Sequence, residues 1–356
     1  MTSEGLELPV SGTVPESIAL PAPIRPPDTL VGRRATAGAR LWPLPADRRE
    51  RRMRAVRDGL MVAGWLSTAF VFLVIVPAGR SLGYDAFSYW TVDLASLYER
   101  TVDSNYTLGA FRYSPPIAML LTPPTVLPWW VFLWSYSAVM LATLAWLGGR
   151  WTLALLALPP VALELYHGNI HLPMAAAVAL GFRHPWTWSF VLLTKVTPGI
   201  GLVWFVARRE WRSLAIALGA TVAAVAVSSV VAPDLWAEWL AATSSNLDEP
   251  QPYSVPPPLP VRLPLAMALV WWGARTDRPW TVPIGALLAL PIVWVHGLVI
   301  ALAALPFLRA QDVRGRDYAA IVAVALAAAT AAIVVLGQPL ERLITDSSAA
   351  LMSWLP

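Results

Sequence analysis

The residues best suited to carry chemistry lie in one polar stretch between two apolar runs, Arg80 to Pro116. A carboxylate in such a stretch can act as a general base that takes a proton from a hydroxyl group. Asp85 is the strongest candidate because it follows the preceding apolar run most closely and has aromatic neighbours that suit the face of a sugar ring. These neighbours are Tyr84, Phe87, Tyr89 and Trp90. The position is also typical of a solvated loop carboxylate or a helix N-cap, and Asp93 and Asp103 are weaker rivals for the role of base.

Two cations are candidates for binding a phosphate group. Arg112 immediately precedes the next apolar segment, and its guanidinium can bind a phosphate through two parallel hydrogen bonds. The alternative is an interfacial anchor within a belt of aromatic residues. Lys195 is the only lysine in the chain and lies in an apolar region, where an ammonium needs a counter-charge such as a lipid phosphate. Its side chain can otherwise extend to the membrane surface.

Two histidines, His171 and His296, can hydrogen-bond a phosphate or a sugar, bind a metal together with a carboxylate, or have a structural role beside an apolar run. Neither stands in an HExxH or comparable ligand spacing, so the sequence predicts no metal site. The chain also contains no P-loop, no GxGxxG motif after a strand and no cysteine. Nucleotide-driven and thiolate chemistry are therefore unsupported.

The composition predicts that these residues belong to an all-α, polytopic membrane protein. Of the 356 residues, 57% are apolar, 19 are tryptophan and 13% are charged. Such a chain is too apolar for a soluble globular protein and too long for a single membrane anchor. The net charge of +4 comes from short arginine groups between apolar runs, which is typical of membrane topology rather than of nucleic-acid binding.

The arginine groups orient the predicted passes, because positive charge stays on the cytoplasmic side. Residues 1–57 are predicted to form a disordered basic tail in the cytoplasm. Residues 58–337 form the membrane domain and residues 338–356 a short extracytoplasmic tail. We predict about eleven transmembrane or half-spanning helices, with a polar, proline-rich outer loop at Pro233–Pro260. The predicted passes are Leu60–Val76, Trp129–Leu147, Trp151–Tyr166, Leu172–Phe182, Trp186–Leu193, Gly199–Val206, Ser213–Val231, Val261–Trp272, Val282–Val295, Gly297–Leu308 and Tyr318–Leu336.

In this scheme four polar residues that are distant in sequence, Asp85, Asn169, Lys195 and His296, all fall at the outer face. Several passes are much shorter than the roughly 20 residues that a full crossing needs, and prolines interrupt them. Broken helices of this kind are tolerated where they line a hydrated cavity inside a protein. We therefore expect the four residues to share a polar cavity that opens from the outer face.

The order of several short motifs resembles glycosyltransferase family 87, bacterial integral-membrane enzymes of the GT-C fold that use polyprenyl-phosphate sugars, chiefly mannose. The motifs are Tyr84-Asp85 with Tyr89; Leu97-Tyr98; Phe111, Tyr113, Pro115 and Pro116; Gly168-Asn169; Lys195 with Pro198; Arg208-Arg209 with Trp211; and Pro291, Trp294 and His296. The resemblance covers about Leu60 to Leu336. Asn169 stands where the family usually has glutamine, and Gly297 where a second histidine is common.

The resemblance implies a GT-C-type fold and an inverting sugar transfer on the extracytoplasmic side of the plasma membrane, with no metal and no other cofactor. Asp85 would deprotonate the acceptor hydroxyl, and Lys195, Arg112 and His296 would stabilise the departing phosphate. The expected partners are a polyprenyl-phosphate sugar donor, a glycolipid or lipoglycan acceptor and the lipid bilayer, with no nucleic acid. The residues assigned to sugar or acceptor binding are Tyr89, Tyr113, Asn169, His171 and Trp294.

Three alternatives stay open at this point. The sugar can be arabinofuranose instead of mannose, since related enzymes of the family use it. A transporter or flippase for a polar lipid is a second alternative, although such proteins often contain inverted repeats and the sequence shows no internal repeat. An inactive partner subunit is the third, because of the departures at Asn169 and Gly297.

Overall fold

A computed structural model describes scattered positions between residues 58 and 73, and then residues 82–103, 108–245 and 257–310. The secondary structure of these residues consists of α-helices and short 3-10 helices, and no strand occurs among them. The all-α prediction is therefore confirmed. The predicted tails, residues 1–57 and 338–356, lie outside the described residues, as does the predicted pass Tyr318–Leu336.

Short helices and one long helix, α4, make up most of the first half of the described chain. The helices are α1 (Tyr84–Trp90), α2 (Glu99–Asp103), α3 (Pro115–Leu121), α4 (Trp129–Gly148), α5 (Thr152–Leu156), α6 (Pro159–His167), α7 (His171–Leu180) and α8 (Trp188–Thr194). Proline pairs open α3 and α6, where a missing backbone N–H costs no helical hydrogen bond. The predicted pass Trp151–Tyr166 is consequently divided between α5 and α6.

The second half contains α9 (Val203–Arg208), α10 (Trp211–Val231), α11 (Asp234–Ser245), α12 (Leu259–Arg275), α13 (Thr281–Leu288) and α14 (Leu305–Ala310). Two 3-10 helices, Thr197–Leu202 and His296–Ala304, precede α9 and α14. The prediction of a loop over Pro233–Pro260 is wrong for α11. This helix is held by its tryptophans, because the Trp236 Nε1–H donates to Ser228 Oγ at 3.1 Å and the Trp239 Nε1–H to the Arg112 carbonyl at 3.3 Å.

Helices α4 and α10 are long and apolar enough to cross a membrane. They have 20 and 21 residues, and only 33% and 11% of their apolar windows, respectively, is buried inside the protein. Such exposed apolar surface is typical of contact with lipid or with another protein. These two helices agree with the predicted passes Trp129–Leu147 and Ser213–Val231. The described residues thus contain two candidate membrane spans and do not confirm eleven passes.

A buried arginine fixes the segment that follows α13. Arg262 on α12 is only 3% exposed, and its guanidinium donates hydrogen bonds of 2.6–3.1 Å to four backbone carbonyls. The acceptors are the carbonyl oxygens of Pro257, Leu288, Leu290 and Pro291. Three of these lie at or just beyond the C-terminus of α13, where carbonyls lack helical partners and a cation is favoured. Arg262 therefore holds the segment leading to Trp294 and His296.

Candidate active site

Asp85 lies in the first turn of α1, and two glycines bring this helix against the end of α6. Gly83 has φ +71°, and its N–H donates to the Tyr166 carbonyl at 2.8 Å. Gly168 ends α6 with φ +65°, and a Cβ added to it would lie 2.7 Å from the Cβ of Ala86. Both positions need the left-handed conformation that glycine adopts without strain. Asp85 can therefore reach the residue that follows Gly168.

Asn169 links Asp85 to His296. Its Oδ1 accepts the Ile170 N–H at 2.6 Å, which turns its amide nitrogen towards the site. Nδ2 donates to Asp85 Oδ2 at 2.7 Å and lies 3.3 Å from His296 Nε2. Because an amide nitrogen only donates, His296 Nε2 is the acceptor and its Nδ1 carries the proton. The amide thus orients both the carboxylate and the imidazole.

A second chain of contacts joins Glu164, His171 and Lys195. The Lys195 Nζ lies 2.8 Å from His171 Nε2, and His171 Nδ1 lies 3.2 Å from Glu164 Oε2. Glu164 Oε1 accepts the Leu172 N–H at 3.0 Å. Glu164 and His171 are both fully buried. These contacts therefore satisfy polar groups in the interior and do not form a surface ion pair.

The two chains meet at the histidines. The His171 and His296 rings lie 5.4 Å apart between centroids. Trp294 stacks on His296 with an interplanar angle of 11°, and the His167 ring lies 5.7 Å from His296. We call Asp85, Glu164, Asn169, His171, Lys195 and His296 the polar cluster. It brings together the four residues that were expected to share one cavity, and adds His171 and Glu164 to them.

The charge of Lys195 depends on its surroundings. This residue follows α8 and lies between the predicted passes Trp186–Leu193 and Gly199–Val206. Burial lowers the pKa of Lys195 to about 8, while the carboxylates of Glu164 and Asp85 oppose this shift. The ammonium is therefore sensitive to small changes in nearby charge at mildly alkaline pH.

Arg112 lies beside the polar cluster. Its guanidinium hydrogen-bonds the Tyr84 side chain, and its charge acts on Lys195. The buried Nε of Arg112 donates to no group within the part of the chain that the structure describes. A guanidinium with an unused buried donor, next to an ammonium, is suited to an anionic ligand.

Three tyrosines form the wall next to Asn169. The Tyr89 and Tyr113 hydroxyls lie 3.2 Å apart, and the Tyr136 hydroxyl donates to the Asn169 carbonyl at 3.1 Å. The Tyr89 ring lies 5.9 Å from the Tyr113 ring and 5.8 Å from the Tyr136 ring. Burial raises the pKa of the Tyr89 and Tyr113 hydroxyls, with the charge of Asp85 adding to both shifts. Both hydroxyls therefore keep their protons and can donate hydrogen bonds.

Asp93, the rival candidate for the base, lies in a different environment. Its side chain is exposed, and its Oδ1 accepts the N–H of Ala95 at 3.0 Å. This local contact is typical of a loop carboxylate that stabilises its own turn.

Among the residues that the structure describes, Glu164, His171 and His296 form a group that could offer ligands for a metal ion. One ligand atom from each lies within 4.8 Å of the others. However, both ring nitrogens of His171 already have partners, since Nε2 lies 2.8 Å from the Lys195 Nζ and Nδ1 lies 3.2 Å from Glu164 Oε2. A cation bound to His171 would have to displace one of these partners and would be repelled by the ammonium. The donor set therefore fits a hydrogen-bonded chain better than a metal centre.

Sequence reasoning missed Glu164, His167 and Tyr136. Glu164 could have been recognised from the sequence, because it is a carboxylate inside the apolar run Trp151–Tyr166 and such a group needs a partner. Its spacing of seven residues from His171 did not suggest a contact, since a turn and a helix boundary lie between them. Tyr136 carries no comparable signal within the apolar α4.

The sequence comparisons agree with the glycosyltransferase chemistry that these residues allow. A profile of Glycosyltransferase family 87 matches residues 111–339, which is more than half of the chain. The chain therefore belongs to glycosyltransferase family 87 and has a sugar donor and an acceptor as its substrates. The matched region contains the polar cluster except Asp85, which precedes it. Comparisons with curated proteins and with solved structures give no match.

Proposed function

We propose that this chain is an integral membrane glycosyltransferase that moves a sugar, mannose in the first place, from a polyprenyl-phosphate donor to a glycolipid or lipoglycan acceptor. The transfer inverts the anomeric centre and uses Asp85 as the general base. One observation carries the proposal, namely a continuous series of contacts from Asp85 to Lys195. The Asn169 amide donates to Asp85 and contacts His296. The His296 ring lies next to that of His171, which contacts the Lys195 ammonium. A carboxylate, an imidazole and an ammonium are thereby placed together in the interior of a glycosyltransferase.

The acceptor hydroxyl oxygen attacks the anomeric carbon of the donor sugar, and its proton passes to the Asp85 carboxylate. The bond between the anomeric carbon and the phosphate oxygen breaks, and its electron pair leaves with polyprenyl phosphate. Negative charge grows on that phosphate, where Lys195, Arg112 and the Nδ1–H of His296 stabilise it. The products are the glycosylated acceptor and polyprenyl phosphate, and the step uses no metal and no nucleotide.

Neighbouring residues would hold the reacting groups. Asn169 orients Asp85 through its 2.7 Å hydrogen bond, and His171 holds Lys195. The aromatic faces of Tyr89, Tyr113 and Trp294 suit the apolar face of a sugar ring. Fixing donor and acceptor in this way can contribute as much to the rate as the proton transfer itself.

The proposal includes a topology of the GT-C type. About eleven transmembrane or half-spanning helices would place the N-terminus in the cytoplasm and the polar cluster at the extracytoplasmic face of the plasma membrane. It is supported by membership of the family, by the apolar α4 and α10, and by the short helices around the cluster, which are tolerated when they line a hydrated cavity.

Replacing Asp85 by asparagine tests the proposal. Membranes containing the D85N variant and supplied with labelled polyprenyl-phosphate mannose should transfer sugar at least about 10²-fold more slowly than wild type, as expected for loss of a general base. The matched control is Asp93→Asn, which changes an exposed carboxylate on the same stretch and should leave transfer unchanged. Unchanged transfer by D85N would eliminate Asp85 as the base. If the wild-type protein transfers sugar from a polyprenyl-phosphate arabinofuranose donor and not from the mannose donor, the transferred sugar is arabinofuranose. If it transfers from neither donor, the result favours a transporter or a partner subunit.

A further inference from the structure

Glu164 is a carboxylate that the proposed reaction does not use directly. It lies on α6 and is fully buried. Its side chain bridges the turn between α6 and α7, which contains Asn169. Its Oε1 accepts the Leu172 N–H at 3.0 Å and its Oε2 lies 3.2 Å from His171 Nδ1. Both carboxylate oxygens therefore have hydrogen-bond partners, which offset the free-energy cost of burying the group.

The direction of the hydrogen bonds follows from Lys195. An ammonium has three donors and no acceptor, so His171 Nε2 accepts its hydrogen bond at 2.8 Å. The neutral imidazole then carries its proton on Nδ1, which donates to Glu164 Oε2. Both Glu164 oxygens therefore act as acceptors, as in an ionised carboxylate, and the charges of Glu164 and Lys195 offset each other across the ring.

We propose that Glu164 is a positioning residue, which acts through His171 to hold the Lys195 ammonium, charged and in a fixed place, for the phosphate of the sugar donor. This inference rests on the proposed function, because it assigns Lys195 to the donor phosphate. A lysine side chain has four flexible bonds and finds a fixed position only when a partner defines one. His171 is that partner, and Glu164 selects the histidine tautomer that can accept from an ammonium.

Other charged and titratable groups also face Lys195. Asp85 and Arg112 act on it electrostatically, and His296 lies next to His171. Glu164 differs from them because it reaches Lys195 through a continuous hydrogen-bonded chain. Removal of its charge should therefore affect both the position and the protonation of the ammonium, whereas loss of packing alone should affect neither.

The test uses the Glu164→Gln variant, which keeps the shape of the side chain and removes its charge. With purified full-length protein, E164Q should raise the KM for the polyprenyl-phosphate sugar about tenfold or more and lower kcat less, because the phosphate site is loosened and Asp85 is left in place. The fall in activity at alkaline pH should begin at lower pH than in wild type. The structural control is Thr187→Val, which removes a buried hydrogen bond from Thr187 Oγ1 to the Ala177 carbonyl at 2.8 Å and should leave KM and the pH profile unchanged.

A second measurement does not depend on activity. Because Lys195 is the only lysine, labelling lysine with ¹⁵N gives a single Nζ signal whose titration reports this ammonium alone. In E164Q the Nζ should lose its proton at lower pH than in wild type and in Thr187→Val. An unchanged Nζ titration, or an unchanged KM and pH profile, would overturn the proposal. If the Nζ titration shifts while D85N still transfers sugar, the Glu164 assignment stands and Asp85 loses its role as base. If E164Q is not obtained folded, Glu164→Asp is measured in the same way, and its shorter side chain should also shift the Nζ titration.

Discussion

Replacing Gly168 by alanine should separate Asp85 from Asn169. The added Cβ would lie 2.7 Å from the Ala86 Cβ, which is about 0.7 Å less than the 3.4 Å at which ordinary contact begins. Both helices are held by their own hydrogen bonds, so the contact is relieved by moving α1 and the end of α6 apart. A shift of this size would lengthen the 2.7 Å bond between Asn169 Nδ2 and Asp85 Oδ2 to roughly 3.4 Å, beyond the usual range of a hydrogen bond.

The energetic consequence has two parts. Alanine in the left-handed conformation costs about 1–2 kcal/mol, and losing a hydrogen bond to a charged group costs about 1.5–3 kcal/mol. Together they predict that the free energy of unfolding falls by about 2.5–5 kcal/mol. Because a misplacement of nearly 1 Å can cost about 10²-fold in rate, kcat should fall about 10- to 100-fold. The KM for the donor should change less, since Lys195 is not displaced.

The assay is sugar transfer by purified protein, together with thermal unfolding in the same detergent. The control is Gly219→Ala on α10, where an added Cβ meets nothing within 4 Å and should be neutral or slightly stabilising. Adding Ala86→Gly to Gly168→Ala removes the clashing methyl group and should restore part of the lost activity. The reasoning is refuted if Gly168→Ala is as active as Gly219→Ala, or if Ala86→Gly restores nothing.

Two further predictions concern the cations Lys195 and Arg262. The pKa of Lys195 is lowered to about 8, so the ammonium is charged below that pH and neutral above it; transfer should therefore decline as pH rises through about 8. Lys195→Arg, which stays charged over this range, should lack this decline even if its rate is lower, and an identical pH profile for both proteins would contradict the prediction. Arg262→Ala should lower the free energy of unfolding by about 3–5 kcal/mol, because four backbone carbonyls, of which that of Leu290 is buried, lose their donor. Arg262→Lys should recover only part of this loss, and a melting temperature within about 2 °C of wild type for Arg262→Ala would count against the role of Arg262.

Much of the local structure could be predicted from sequence because it depends on short-range chemistry. The long apolar runs around Trp129 and Ser213 correspond to α4 and α10, since an uninterrupted apolar run of that length has no better conformation than a helix. Proline pairs break the intervening runs into short helices for an equally local reason. The sequence analysis missed helix α11. Its position depends on hydrogen bonds from its tryptophans to Ser228 and to the Arg112 carbonyl, which lie outside the helix and cannot be read from its own sequence.

In the candidate site, too, the sequence indicates which residues matter but not which of them are in contact. Asp85, Asn169, Lys195 and His296 are conspicuous in the sequence because polar groups at the ends of apolar runs must find partners. The sequence does not tell which partner each one has. Glu164 was overlooked for that reason, although it is the group that completes the chain through His171 to Lys195.

The sequence by itself determined the helical class, the family and the identity of the residues able to do chemistry, since these depend on composition, hydropathy and short motifs. Only the tertiary structure decided which of those residues touch. Asp85 and Asn169 are 84 positions apart, and their hydrogen bond exists because Gly83 and Gly168 allow α1 to pack directly against the end of α6. Contacts of this kind depend on the path of the backbone between the two residues, which local propensity does not specify.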